Sequence, residues 1–306
     1  METRMEQMME FMKGLDWSPL LISLKTGVVA TILSFFGGIY AARQVVKAGP
    51  KTKAVLDGIL TLPMVLPPTV AGFFLLLIFG LRRPFGAALY GNFGIKVVQT
   101  WLGCILAATV IAFPLMYRNA RAAFEQIDAN LVYAARTLGM SEMTIFWKVV
   151  IPSAGPGILS GTILTFARAM GEYGATSMLA GNIPGKTGTI SQKIAMVIQN
   201  GDYATAGVWV AIIMLISFGI VVINVLRSLG VKEPQDIARS TAKAGFFSCL
   251  IMAVIYVFVT LMGAQSSGMG VACANGGEVL SVVASHYFGR AGALILAATV
   301  TLACLK

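Results

Sequence analysis

Arg168 and Glu172 stand inside an apolar stretch, GILSGTILTFARAMGEYGATSMLAG, where ionised side chains are rare. A charge at the centre of a membrane helix costs about 2.5–3.5 kcal/mol on insertion scales, so such a residue calls for a reason. The two are four apart, on one helical face, and can pair. Two readings stand side by side: an ion pair near the gate of a pathway-lining helix, or an internal pair that only fixes helix packing. Thr162, Thr165, Thr176 and Ser177 add hydroxyls within reach of a hydrated ion, and Gly157, Ser160, Gly161, Gly171 and Gly174 allow close helix approach. The loop that follows, Gly181-Asn182-Ile183-Pro184-Gly185-Lys186-Thr187-Gly188-Thr189, is rich in turn residues and backbone donors and holds one cation. It suits contact with an anion or a docking protein, and equally an ordinary turn. Asn182, Pro184 and Gly185 are its candidate contact residues.

A second constellation lies in ANLVYAARTLGMSEMTIFWKVVIP, residues 129–152, which is amphipathic although it sits between apolar segments. Asp128 is a good N-cap for a short helix ending near Leu138. Leu131, Ala134, Ala135 and Leu138 recur at helical spacing and share one face. Gly139 suits the left-handed conformation that stops a helix. Ser141 caps a second short helix, which Pro152 is expected to end. Two short helices on a glycine elbow suit docking into a groove of another protein, or lying in a membrane interface.

Other chemistry finds no support. Cys104, Cys249, Cys273 and Cys304 are far apart and His286 stands alone, so neither a metal site nor a redox pair is expected. No glycine loop with Lys and Ser/Thr offers to bind a nucleotide, and no Ser/His, HExxH or paired-Asp arrangement suggests an intramembrane enzyme. The expectation is a non-enzymatic protein without cofactor.

The elements that must position these residues are membrane helices. The chain is 57% hydrophobic and 12% charged, with a mean hydropathy of +0.80. Soluble domains carry about twice that charged fraction. Several apolar runs reach the roughly 20 residues that cross about 30 Å of hydrocarbon. Spans are placed at 18–40, 57–80, 97–117, 155–176 and 204–226, with weaker candidates at 245–264 and 290–305. Pro63, Pro67 and Pro68 interrupt the second, which is tolerated where backbone faces protein or a water-filled cavity. Arg43, Lys47, Lys51 and Lys53 follow the first span, Arg118, Arg121, Arg136 and Lys148 the third, and Arg227, Lys232, Arg239 and Lys243 the fifth. The positive-inside rule assigns these segments to the cytoplasm and the N-terminus outside. The net charge of +10 is therefore punctuation between spans rather than a nucleic-acid footprint. Residues 1–17 lack the pattern of a cleaved signal; Met8, Met9, Phe11, Met12 and Leu15 suit an interfacial helix, with disorder the alternative.

The pattern Ala134-Ala135-x-x-x-Gly139, nine residues, then Val149-x-Ile151-Pro152 resembles the EAA loop of ABC importer permeases, with Tyr133 where that loop usually has Glu. The resemblance implies that the first short helix is a coupling helix seated in a cleft of a separate ATPase subunit. Leu131, Tyr133, Ala134, Ala135, Leu138, Gly139 and Pro152 are then the coupling residues. LPMVLPPTVAGF, AARTLG, FARAMGEYGAT and AGNIPGKTGTI, in this order, narrow the resemblance to molybdate permeases over residues 15–216; sulfate and tungstate permeases share much of it. It implies a homodimer in the lipid of the cell membrane, two ATPase subunits, and an extracytoplasmic binding protein that delivers the oxyanion. Arg168, Glu172, Thr176, Asn182, Pro184 and Gly185 are then the pathway or gate residues.

The remainder, from about residue 217 to 306, resembles an interior piece of a branched-chain amino acid:cation symporter, with two further spans. The expected organisation is an N-terminal segment 1–17, a permease domain 18–218 and a symporter-like fragment 219–306 joined inside an apolar helix, as in a chimera. A cation-coupled amino acid carrier fragment is the alternative function. The fold class throughout is all-α, polytopic and membrane-embedded.

Overall fold

The computed structural model describes residues 15–228. The chain divides after Gly230 into two units, and every described residue lies in the first. The candidate spans at 245–264 and 290–305, the interfacial helix proposed for the N-terminal segment, and Cys249, Cys273, Cys304 and His286 lie outside the described residues.

Among the described residues all regular structure is helical. Helix α1, Ser18–Lys47, opens with Pro19 in its first turn, while Asp16 accepts hydrogen bonds from the Ser18 N–H (3.0 Å) and hydroxyl (2.9 Å). These bonds hold the Asp16 carboxyl below its ordinary pKa. The expected second span is two helices, α2 Pro50–Val65 and α3 Pro68–Phe79, bent by 108°. Pro67 and Pro68 cause the break: neither has an N–H to carry the ladder across it. A short α4, Pro84–Phe93, ends at Gly94, whose φ is +67°. Helix α5 spans Trp101–Glu125 and α6 Ala129–Thr137. Helix α7 runs from Glu142 to Met170, α8 from Gly174 to Ala180, α9 from Ile190 to Gln199 and α10 from Tyr203 to Ser228.

Among the described residues α1, α5 and α7 are each long and apolar enough to cross a membrane, and the bent α2–α3 pair makes a fourth if it counts as one span. α10, the expected fifth span, is a 26-residue helix, roughly 39 Å long at 1.5 Å per residue. α5 carries the expected third span and continues as helix to Glu125. In this last stretch Arg121 pairs with Asp57 on α2 and with Glu125 on α5 itself.

The core is built on small residues. Ala30 on α1, Ala108 and Ala112 on α5 and Ala169 on α7 form one buried cluster. Side chains added at Gly157 and Gly161 would sit 2.7 Å from Ala123 Cβ and 2.6 Å from Asn119 Cβ, so α7 and α5 touch almost backbone to backbone. This is how membrane helices associate when lipid is as apolar as the protein interior. Phe36, Tyr40, Ile59 and Val65 stay exposed around the outside.

Candidate functional site

The elbow forms as its local chemistry dictates. The Asp128 carboxylate accepts the Asn130 N–H at 2.9 Å and starts α6. Gly139 has φ +73°, and the Met140 N–H closes back on Ala135 O at 3.2 Å. The Ser141 hydroxyl then accepts the Thr144 N–H at 3.3 Å and starts α7. Arg136 Nε donates to Glu142 at 2.7 Å across the elbow, and that bond raises the Arg136 pKa above its ordinary value.

Two corrections follow. Pro152 does not end the helix after the elbow. A π-helical turn, Phe146–Val150, precedes it, with the Ile151 N–H reaching Phe146 O, and α7 continues to Met170. The wider turn relieves the clash between the proline ring and the carbonyl four residues back. The four residues assigned to one docking face also divide: Ala135 is 5% exposed and faces its own chain, whereas Leu138 is 81% exposed and Leu131 and Ala134 are also uncovered; Tyr133, outside that set, is exposed too. Beneath α6, Val132 lines a cavity it shares with α1, α5 and α7.

The expected fourth span also breaks. α7 stops at Met170, Gly171 to Tyr173 turn, and α8 restarts at Gly174. Glu172 therefore lies in the turn, 2% exposed. One oxygen accepts Arg168 at 2.9 Å and the other the Ala175 N–H at 2.8 Å, so Glu172 caps α8 and holds Arg168 at once. Arg168 is 35% exposed, and Thr176 is buried beside the turn. The neighbouring hydroxyls are engaged internally: Thr162 and Thr165 donate to Ile158 O and Gly161 O, and Ser177 accepts from Gln192. Thr162 and Thr165 thus commit their hydroxyl protons to the backbone of their own helix, while Ser177 keeps its proton.

The loop after α8 is likewise self-satisfied. The N–H groups of Lys186, Thr187 and Gly188 all converge on Ile183 O at 3.1, 2.9 and 3.1 Å. Thr187 and Gly188 are buried, while Asn182, Pro184, Gly185 and Lys186 form the exposed tip. These three backbone donors are turned inward, whereas the candidate contact residues Asn182, Pro184 and Gly185 stay at the exposed tip.

One cluster escaped the sequence reading. Arg121 on α5 pairs with Asp57 on α2 and with Glu125 at 3.0 Å, Lys53 pairs with Glu125 at 2.5 Å, and the Tyr117 hydroxyl donates to Asp57 at 2.8 Å. α2 has no buried residue, so this network is its main polar tie to α5. The Arg121/Glu125 spacing was a visible cue, but the partner across the fold was not. No group of three or more His, Cys, Asp or Glu side chains able to hold a metal occurs among the described residues.

Arg168→Ala is expected to strand the buried Glu172 carboxylate without its cation and to lower stability by about 1–3 kcal/mol. Arg168→Ala with Glu172→Gln should recover most of that loss, because the amide oxygen still caps α8. Thermal unfolding in detergent tests the order; a double variant no more stable than the single one would refute it.

Long small-residue helices, one span broken by prolines and a capped amphipathic helix standing at one end define a permease domain of an integral-membrane transporter. The inward-facing MetNI methionine ABC transporter has this fold, with a TM-score of 0.52 over 68% of this chain and 94% of that chain at 19% identity. The chain belongs to the family of binding-protein-dependent transport system inner membrane components, whose profile matches residues 34–232. It is 41% identical over 213 residues to the Molybdenum transport system permease protein ModB of Escherichia coli K12, covering 70% of this chain and 92% of that one. It is 33% identical over 208 residues to the Sulfate transport system permease protein CysT of the same strain, covering 68% and 75%. Residues 175–306 match a second profile, that of branched-chain amino acid transport proteins, so the two matches overlap over 175–232. The chain is a multi-pass inner-membrane protein.

Proposed function

We propose that residues 18–218 are the membrane-spanning subunit of an ATP-driven importer for molybdate or a related tetrahedral oxyanion. In this reading two copies surround the pathway, a separate subunit hydrolyses ATP, and an extracytoplasmic binding protein delivers the anion to the loop tip at Asn182, Pro184 and Gly185. The N-terminus lies outside and the elbow inside. The observation that carries the reading is the exposed face of α6 at Leu131, Ala134 and Leu138, held by caps at both ends of the helix. An apolar face so firmly positioned and left uncovered suits insertion into a cleft of another subunit. The relatives named for molybdenum and sulfate support the substrate class.

Arg168, oriented by Glu172, supplies the positive bias of the path. Affinity resides mainly in the delivering protein, since a tight site in the path would hold the anion. The test is oxyanion uptake into vesicles containing the chain, its ATPase and its binding protein. The Arg168→Ala/Glu172→Gln variant should be folded and inactive; folded and fully active, it would remove Arg168 from the pathway.

The match of residues 175–306 to amino acid transport proteins favours a second reading for the tail, a fragment of a cation-coupled branched-chain amino acid symporter fused to the permease. The permease core holds its helices together through its own contacts. A stop codon at Val231 should therefore yield a chain that inserts, dimerises, retains the ATPase in a pull-down and transports as well as the full length. Loss of folding on truncation would show the tail to be integral. Sodium-dependent leucine uptake by the full chain without any ATPase would favour the carrier reading.

A further inference from the structure

Where α1 leaves the apolar core, a cavity of about 210 Å³ opens between α1, α5, α6 and α7. Its walls are apolar: Val46, Phe124, Val132, Ile145, Phe146 and Val150. Its charged lining is not balanced. Arg43, Lys47 and Arg136 contribute three cations against the single carboxylate of Glu142, which Arg136 already engages at 2.7 Å. Arg43 sits 4.2 Å from the centroid of the Phe146 ring and donates to the Met143 sulfur at 3.6 Å, partners that orient the guanidinium without neutralising it. Lys47 is exposed and forms no salt bridge among the described residues.

The same helix face says which phase the opening meets. Phe36, Tyr40, Arg43 and Lys47 recur at spacings of four, three and four, so they form one stripe along α1. Its deeper end is the exposed, apolar Phe36; Tyr40 follows, then the two cations. Trp147, also exposed, sits on α7 beside Phe146. Apolar, then aromatic, then cationic is the order of a membrane interface read from hydrocarbon toward water. A soluble anion has no use for the apolar walls, and a neutral lipid none for the cations.

We infer that this cavity binds one anionic phospholipid, its phosphate between Arg43 and Lys47 and part of an acyl chain along the walls at Val132 and Ile145. Basic pockets between membrane helices suit such headgroups, and each surface cation contributes about 1 kcal/mol. Because Val132 and Arg136 belong to α6, the bound lipid braces the underside of that helix. Lipid binding itself is independent of which substrate the permease carries.

The test is native mass spectrometry of the detergent-purified full-length chain with added phosphatidylglycerol or phosphatidylcholine. The wild type should retain one phosphatidylglycerol and no phosphatidylcholine, and millimolar inorganic phosphate should not displace it. Lys47→Gln should lower retention about fivefold, and Arg43→Gln with Lys47→Gln further by a similar factor. Val132→Trp, which fills the cavity and touches no charge, should also lower it. Arg118→Gln, in the wall of a different cavity, should not. Equal retention of both lipids, undiminished retention in the Lys47 and Val132 variants, an equal loss in Arg118→Gln, or displacement by phosphate would each overturn the assignment.

Discussion

Leu131→Glu with Leu138→Glu should abolish oxyanion uptake, by at least about a hundredfold, while yield and melting temperature stay at the wild-type level. Leu138 is 81% exposed and Leu131 about half exposed on the outer face of α6, so the folded chain loses little contact. A carboxylate at each end of that face would have to be desolvated on entering an apolar cleft, at several kcal/mol for the pair. Ala135→Glu should behave differently. Ala135 is buried against its own chain, so its carboxylate would unseat α6 and lower the melting temperature as well as transport. Gly139→Pro should also stop transport, because proline is held near φ −65°, whereas Gly139 sits at +73°. Pull-down of the ATPase, uptake and thermal unfolding separate the three. If the Leu131/Leu138 variant still captured the ATPase and transported normally, the outer face of α6 would not be the coupling surface.

A large stability effect is expected at Gly72 on α3. A Cβ there would lie 2.6 Å from Ala175 Cα, 3.0 Å from Ala175 O and 2.9 Å from Met178 Cβ. Two of these neighbours are backbone atoms of α8 and cannot turn aside. Gly72→Val therefore pries α3 from α8 and disturbs the buried cluster of Ala71, Leu75, Ala175 and Leu179. Overpacking of this kind costs about 1–3 kcal/mol or more, and failure to accumulate in the membrane is the expected result. Gly58 on α2 is the matched control, since nothing lies within 4 Å of its added Cβ. Gly58→Ala should be neutral or stabilising by up to about 1 kcal/mol, as for glycine in helices generally. Comparable loss in both variants would show that helix propensity, not contact between α3 and α8, governs these positions.

What could be read from the residues alone was local or compositional. Asp128, Gly139 and Ser141 act on backbone groups within a few positions, so the elbow followed from residue type and spacing. Pro67 and Pro68 break a span wherever they occur. Arg168 and Glu172 were already near enough along the chain to meet. The apolar runs, at about 20 residues, required helical spans because a helix satisfies its own backbone groups in lipid.

The tertiary structure decided everything that depends on a partner distant in sequence. Which side of α6 faces the chain depends on where α1, α5 and α7 lie, and so Ala135 turned inward. Whether Pro152 ends a helix depended on a π turn that could absorb it. That Arg121 pairs with Asp57 depended on where α2 lies across the fold. Glu172 became a cap because the chain breaks at Gly171 and restarts against Thr69 and Pro68, where Gly174 alone leaves room. Helical periodicity marks which residues share a face, but a face is assigned to protein, lipid or water only by what packs against it.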